Sequence, residues 1–286
     1  MNGLISFLCC HLVSTIISTQ VHENYFPLVD NESVADIYID QADYNVVETA
    51  ADMLSDDIER ITGKKVSLHK VRNHREINTG CAIIAGTLGQ SHLIEWIVKQ
   101  NRIDIKEIEG KWESFMIMTT EHPEEKTPLL VVIGSDRRGT AYGLTSLCEE
   151  IGVSPWYWWA DVQPQKKESL FIMNGCHVHQ EPSVQYRGIV INDERFGGWA
   201  KWVEQTFDKE TGKVGPKVYE KVFELLLRLK ANYLWPAMHN GSAAFNSNPE
   251  NARLADDYAI VMGTSHCEQM LRNNEDEWKN AGTQVP

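Results

Sequence analysis

Three short apolar runs in the second half of the chain each stop at a burst of polar and aromatic residues. Ile189-Val190-Ile191 runs into Asn192-Asp193-Glu194, Tyr233-Leu234 into Trp235-Pro236-Ala237-Met238, and Ile260-Val261-Met262 into Gly263-Thr264-Ser265-His266. The segments between and after them carry helical patterns. Residues 216–230 are amphipathic, with Pro216 at the first turn and Glu224 four before Arg228. Asn248-Pro249-Glu250 makes a capped helix start, and in residues 267–281 Met270 and Trp278 share a helix face. Such alternation is the grammar of a parallel sheet, either a (β/α) barrel or an open one. In a parallel barrel the carboxyl ends of the strands converge on one face, where the chemistry sits. The chain therefore reads as an enzyme or part of one.

Composition narrows the partners. At 286 residues and 42% hydrophobic content the chain suits one large or two ordinary domains with a proper core. A net charge of -13, with no basic run longer than Lys166-Lys167 or Arg137-Arg138, argues against nucleic acid. Residues 1–20 lack Asp, Glu, Lys and Arg, and residues 4–17 form an apolar stretch of signal-peptide length, with Ser18-Thr19-Gln20 as a small-residue cleavage region. Export is expected, to the periplasm or outside the cell, with no membrane partner once the signal is removed; a buried amino-terminal helix is the alternative. Beyond Cys9 and Cys10, the cysteines Cys81, Cys148, Cys176 and Cys267 lie far apart without metal-ligand spacing, so buried thiols are expected and no metal or cofactor is. Asn31-Glu32-Ser33 and Asn240-Gly241-Ser242 match the glycosylation acceptor pattern.

The first region alternates strand and helix. Strands are expected at 34–39, 66–71, 81–85, 115–119 and 129–133, and helices at 47–61, 91–99 and 140–151. Gly86-Thr87-Leu88-Gly89 and Gly134-Ser135-Asp136-Arg137-Arg138-Gly139-Thr140 lack the spacing of a phosphate loop or a dinucleotide fingerprint, so they read as tight strand-to-helix turns. Pro155-Trp156-Tyr157-Trp158-Trp159 is dense in large aromatics, which favours packing over a sugar-stacking platform. The expected organisation is a signal at 1–20, an amino-terminal α/β domain at 21–163, a linker at 164–180 and the first part of a barrel at 181–286.

At the strand ends, Asp193 and Glu194 are adjacent carboxylates whose side chains point in opposite directions, so one faces the mouth and the other anchors a loop. Carboxylates there act as general acid, general base or acceptors for substrate hydroxyls; an ion pair with Arg187 or Arg195 is the structural alternative. His266 and Glu268, with Ser265, group an imidazole, a carboxylate and a hydroxyl at the third strand end, which suits a sugar. A zinc site is a poorer fit, since His-x-Glu supplies at most two ligands. Trp235, Met238 and His239 would line the same mouth, the indole face matching the apolar face of a sugar ring, and Asn246 follows in a loop able to donate to a hydroxyl or hold a turn.

These motifs together carry a resemblance. Residues 186–194 (YRGIVINDE), 229–238 (LKANYLWPAM) and 263–268 (GTSHCE), with 134–143 (GSDRRGTAYG) and 151–161 (IGVSPWYWWAD) earlier in the chain, closely resemble glycoside hydrolase family 115, the xylan α-glucuronidases. The resemblance implies an α/β amino-terminal domain followed by a (β/α)8 barrel, and an inverting hydrolysis that removes 4-O-methylglucuronic acid side groups from glucuronoxylan. It implies Asp193, His266 and Glu268 as catalytic-site residues, with Asn192, Glu194, Trp235 and Asn246 contacting substrate, and a homodimer in the full-length enzyme. The sequence departs from the family pattern where Arg195-Phe196 follows Asn192-Asp193-Glu194 and where Cys267 and Gln269 flank Glu268.

Only 106 residues run from Glu181 to Pro286, whereas a whole barrel takes about 200–250. The fold expected is thus an α/β domain followed by an incomplete (β/α)8 TIM-type barrel of about three βα units. The general acid and base of the family lie on later strands, so these 286 residues alone are expected to show no glucuronidase activity. A non-catalytic carbohydrate-binding or vestigial fragment is the competing reading. An acidic sugar also needs local positive charge, for which Arg187, Arg195 and Lys230 are nearest in sequence.

Overall fold

The computed structural model describes residues 24–264 except 32, 79, 194–197, 208, 210–212 and 240–241. The leading stretch read as a signal, together with Glu194, Arg195, His266, Cys267, Glu268 and the helix expected at 267–281, lies outside the described residues. The fold is mixed α/β. It forms two compact units, one comprising the chain up to Asp43 with Ala50–Glu181, the other Tyr44–Thr49 with the chain from Pro182 onward.

The first unit is built on a six-stranded sheet in the order β3-β2-β4-β6-β5-β8, from β2 (Asp36–Asp40), β3 (Leu68–Val71), β4 (Ala82–Thr87), β5 (Phe115–Glu121), β6 (Pro128–Gly134) and β8 (Cys176–His179). Strands β3, β2, β4 and β6 run parallel, while β5 is antiparallel to both β6 and β8. All of β4 and nearly all of β6 are buried, the continuous apolar pattern of strands covered on both faces. On one face Ile84, Val131 and Ile133 join Leu93, Ile94 and Ile97 of the helix His92–Asn101 in a single cluster.

The helices follow from their ends. Helix α1 (Asn45–Thr62) buries Leu54, Ile58 and Ile61 and stops at Gly63, whose φ of 74° is the left-handed conformation that glycine adopts at least cost. Helix α2 (His92–Asn101) is capped by Ser91, which accepts from the Ile94 amide. Helix α3 (Arg137–Ile151) is capped by Asp136, which accepts from the amides of Arg138 and Gly139 at 3.0 and 2.8 Å. Those amides are the donors a phosphate would need, and they are already bound to a carboxylate. The turn at 134–140 is therefore a structural joint.

Two strands were hidden in the stretch read as a linker. Residues 164–180 contain β7 (Leu170–Met173), antiparallel to β1 (Tyr25–Val29), and β8 at the sheet edge. Leu170 and Ile172 are buried while Phe171 and Met173 are exposed, a period-two pattern too short to stand out beside a proline and two lysines. The thiols also differ from expectation: Cys148 is buried, Cys81 half-buried and Cys176 exposed at the edge strand.

The second unit holds a three-stranded parallel sheet in the order β11-β10-β9, from β9 (Gly188–Val190), β10 (Tyr233–Trp235) and β11 (Val261–Met262). Helices α4 (Trp199–Thr206) and α5 (Pro216–Arg228) lie between the first two strands in sequence, and α6 (Pro249–Asp257) between the second and third. Three strands fall where the apolar runs end, and Pro216 and the Asn248 cap start their helices as expected. Helix α4 had no counterpart in the sequence reading.

Candidate functional site

Register aligns the three strand ends. Val190 lies opposite Trp235, and the Gly263 amide donates to the Leu234 carbonyl at 2.8 Å, so Asn192, Trp235 and Gly263 come to one edge of the sheet. The base of this arrangement is fixed at the opposite strand ends. The Asn232 side chain accepts from the Arg187 amide at 2.9 Å and donates to the Gln185 carbonyl at 2.8 Å. The Arg187 guanidinium donates to the carbonyls of Val184, Gln185 and Lys230. Arg187 thus braces the backbone at the ends of the strands opposite Asp193.

Asp193 does not open onto solvent. Its side chain is fully buried and receives the backbone N–H of Met238 at 3.1 Å, the backbone N–H of His239 at 2.9 Å, and Nδ1 of the His239 ring at 2.7 Å. Burial by itself opposes the charge. The Ser242 hydroxyl, the His239 ring and the two amides outweigh it, so the carboxyl is held below its ordinary pKa. The Ser242 Oγ, itself buried, lies beside the carboxylate without meeting hydrogen-bond geometry, so the well-aligned ring and amide donors account for most of the effect. Asp193 ties the end of β9 to the segment after β10.

An ionised carboxylate only accepts hydrogen bonds, so the Nδ1 of His239 carries a hydrogen. The His239 side chain is 33% exposed, whereas that of Asp193 is buried. Its position after Trp235 was legible, but the donors on Asp193 come from residues 45 and 46 positions away, a link that no local pattern carries.

Trp235 is 39% exposed, and its indole Nε1 donates to the Tyr233 hydroxyl at 3.3 Å. Any side chain at residue 263 would meet the Tyr233 hydroxyl and the Trp235 indole, so glycine there is what lets β11 approach them. Asn192 is exposed at the end of β9. Asn246 sits in a 3₁₀ turn, Phe245–Ser247, rather than in an open loop. That turn is anchored by Phe245, which packs edge-on against Tyr219 of α5 and accepts from the Asn251 amide through its carbonyl. Ser242, the third residue of the second acceptor sequence, is buried. The structure thus brings Asn192, Asp193 and Trp235 to the same strand ends and adds His239; Glu194, His266 and Glu268 fall outside the described residues.

An exposed indole, an exposed amide and an imidazole thus gather at the carboxyl ends of the three parallel strands. Residues 179–285 match the model of glycosyl hydrolase family 115, and through this segment the chain belongs to that family. Among solved structures it resembles a family GH115 4-O-methyl-α-glucuronidase, BtGH115A, described as having specificity for decorated arabinogalactans. The two share 40% identity with a TM-score of 0.74, over 88% of this chain and 31% of that one. The chain therefore spans about a third of that protein's length. A Streptomyces plicatus β-hexosaminidase aligns over 84% of this chain and 42% of its own at 12% identity and TM-score 0.48. A GH20 exo-β-N-acetylglucosaminidase from Vibrio harveyi aligns over 87% and 36% at 11% and 0.44. Comparison with curated proteins returned no match.

Proposed function

We propose that this chain is the leading part of an inverting α-glucuronidase-type glycoside hydrolase, acting on (4-O-methyl)glucuronic acid side groups of glucuronoxylan. The observation that carries the reading is the 40% identity to a GH115 4-O-methyl-α-glucuronidase over 88% of the chain. The three parallel strands β9, β10 and β11 are read as the opening units of a (β/α)8 barrel, with the first unit as the amino-terminal domain and the leading residues as an export signal. Asn192, Trp235 and Asn246, with Glu194, His266 and Glu268, form one side of the sugar site.

Inversion requires a carboxylic acid to protonate the leaving oxygen and a second carboxylate to activate water, about 6.5–9.5 Å apart. Asp193 is a poor fit to either role while it is buried and accepts from three donors. Glu268 is read as a catalytic-site carboxylate in this part of the chain, and the general acid and base are assigned to later strands of the barrel. The full-length enzyme is read as a homodimer.

The carrier polysaccharide has a second reading. BtGH115A is described as specific for decorated arabinogalactans, so an arabinogalactan bearing the same uronic acid competes with xylan. Affinity electrophoresis separates the two. Retardation of the chain by glucuronoxylan and not by unsubstituted xylan is expected; retardation by a glucuronidated arabinogalactan alone favours the second carrier, and retardation by neither removes the glucuronidase reading.

A further inference from the structure

The two aromatic residues of β10 face the same way. Tyr233 pairs with Gly188 and Trp235 with Val190 across β9, and alternation along the strand sends both rings to one face while the buried Leu234 goes to the other. There the Tyr233 hydroxyl meets the Trp235 indole Nε1 at 3.3 Å in an exposed hydrogen bond. A β-carbon on residue 263 would strike that oxygen, and residue 263 is glycine. The Tyr186 ring flanks the phenol, its centroid 5.6 Å away.

This bond fixes what the phenol offers a ligand. An indole N–H only donates, so the tyrosine oxygen is the acceptor and keeps its own O–H to give. Among the described residues no group takes that hydrogen. Accepting from the indole polarises the O–H, and an anion is the acceptor such a donor holds best. We propose that Tyr233 contacts substrate and reads the charge of the sugar, its hydroxyl donating to the carboxylate of a glucuronic acid unit stacked on Trp235. The identity of the ligand rests on the glucuronidase reading; the bond between phenol and indole does not. A sugar ring laid on the indole face brings its rim to the Nε1 edge, where the hydroxyl sits, and the carboxylate is the strongest acceptor on that rim.

The test titrates the whole chain at neutral pH with glucuronic acid and with its methyl ester, which keeps the ring and removes the charge. Wild type should bind the acid more tightly than the ester. Tyr233→Phe, with its fold checked by circular dichroism, should weaken binding of the acid roughly 10- to 100-fold, the size of a hydrogen bond to a charged group, and that of the ester far less. Without any sugar, the indole N–H resonance of Trp235, assigned by its loss in Trp235→Phe, should move upfield in Tyr233→Phe. An unmoved resonance overturns the bond and the proposal with it. Unchanged affinity of Tyr233→Phe for the acid overturns the contact and leaves the glucuronidase reading standing. Equal loss for acid and ester makes Tyr233 a support for the indole and overturns its reading of charge, as does a wild type that binds the two alike. If Tyr233→Phe does not fold, that wild-type preference decides. Wild type that binds neither ligand overturns the sugar reading of the site and the contact together, even where the indole resonance behaves as expected.

Discussion

The His239 ring meets a carboxylate oxygen of Asp193 at 2.7 Å, joining a partly exposed imidazole to a wholly buried acid across two strand ends. The acid's folded pKa lies below its ordinary value of 3.8, so the unfolded chain takes up its proton first as pH falls. The stability contributed is full above the unfolded value and is lost progressively as pH drops through the folded one. Asp193→Asn should remove that acid-linked component and cost about 1–3 kcal/mol at neutral pH, the penalty for mismatching a buried acceptor. Denaturant titrations at pH 7 and pH 3 check both; equal stability of the two proteins at pH 7 contradicts the bonding described.

Gly263 sets how closely β11 approaches the Tyr233–Trp235 pair, because a β-carbon there meets the Tyr233 hydroxyl and the Trp235 indole. Gly263→Ala should displace the indole and destabilise the second unit by about 1–3 kcal/mol, as overpacking does. Tryptophan fluorescence and Tm should shift together. An unchanged spectrum would mean that the approach is looser than it is drawn.

Helix α5 buries an ion pair, Glu224 with Arg228 at 3.1 Å, which Lys221 joins at 2.8 Å. Glu224→Ala leaves Arg228 buried without that carboxylate, and removing one partner of a buried pair costs about 3–5 kcal/mol. Replacing both, as Glu224→Leu with Arg228→Met, should recover most of that loss. A double-mutant cycle by chemical denaturation measures the difference; additive losses would place the pair effectively in water.

Asn232 joins the starts of β9 and β10 through its two bonds to residues 185 and 187. Asn232→Ala removes two part-buried bonds, from the Arg187 amide and to the Gln185 carbonyl, each worth about 0.5–1.5 kcal/mol. Hydrogen exchange should accelerate at the Arg187 amide. Unaltered protection there would assign the strand pairing to Arg187 alone.

What was legible in the chain was periodic. The burial of β4 and β6, the α1 face from Leu54 to Ile61, the Asn248 cap and the Glu224–Arg228 spacing are all set within a few residues, so local pattern carried them. Strands β7 and β8 have four residues each, below the length at which alternation separates from chance. The site was half legible. Trp235 and Asn192 follow from strand ends, whereas Asp193 looked like a reacting group because its three donors sit 45 and 46 residues away. Burial of a carboxylate is decided by such long-range donors.

The sugar reading of these strand ends is tested most directly by isothermal titration of the chain with 4-O-methylglucuronic acid, with glucose and N-acetylglucosamine as controls. The predicted result is saturable binding of the uronic acid, weaker or absent binding of the two neutral sugars, and loss of affinity in Trp235→Ala, since an exposed indole supplies the stacking face. Absence of uronic acid binding, or equal binding of all three sugars, would contradict a glucuronic acid site at Asn192, Trp235 and His239.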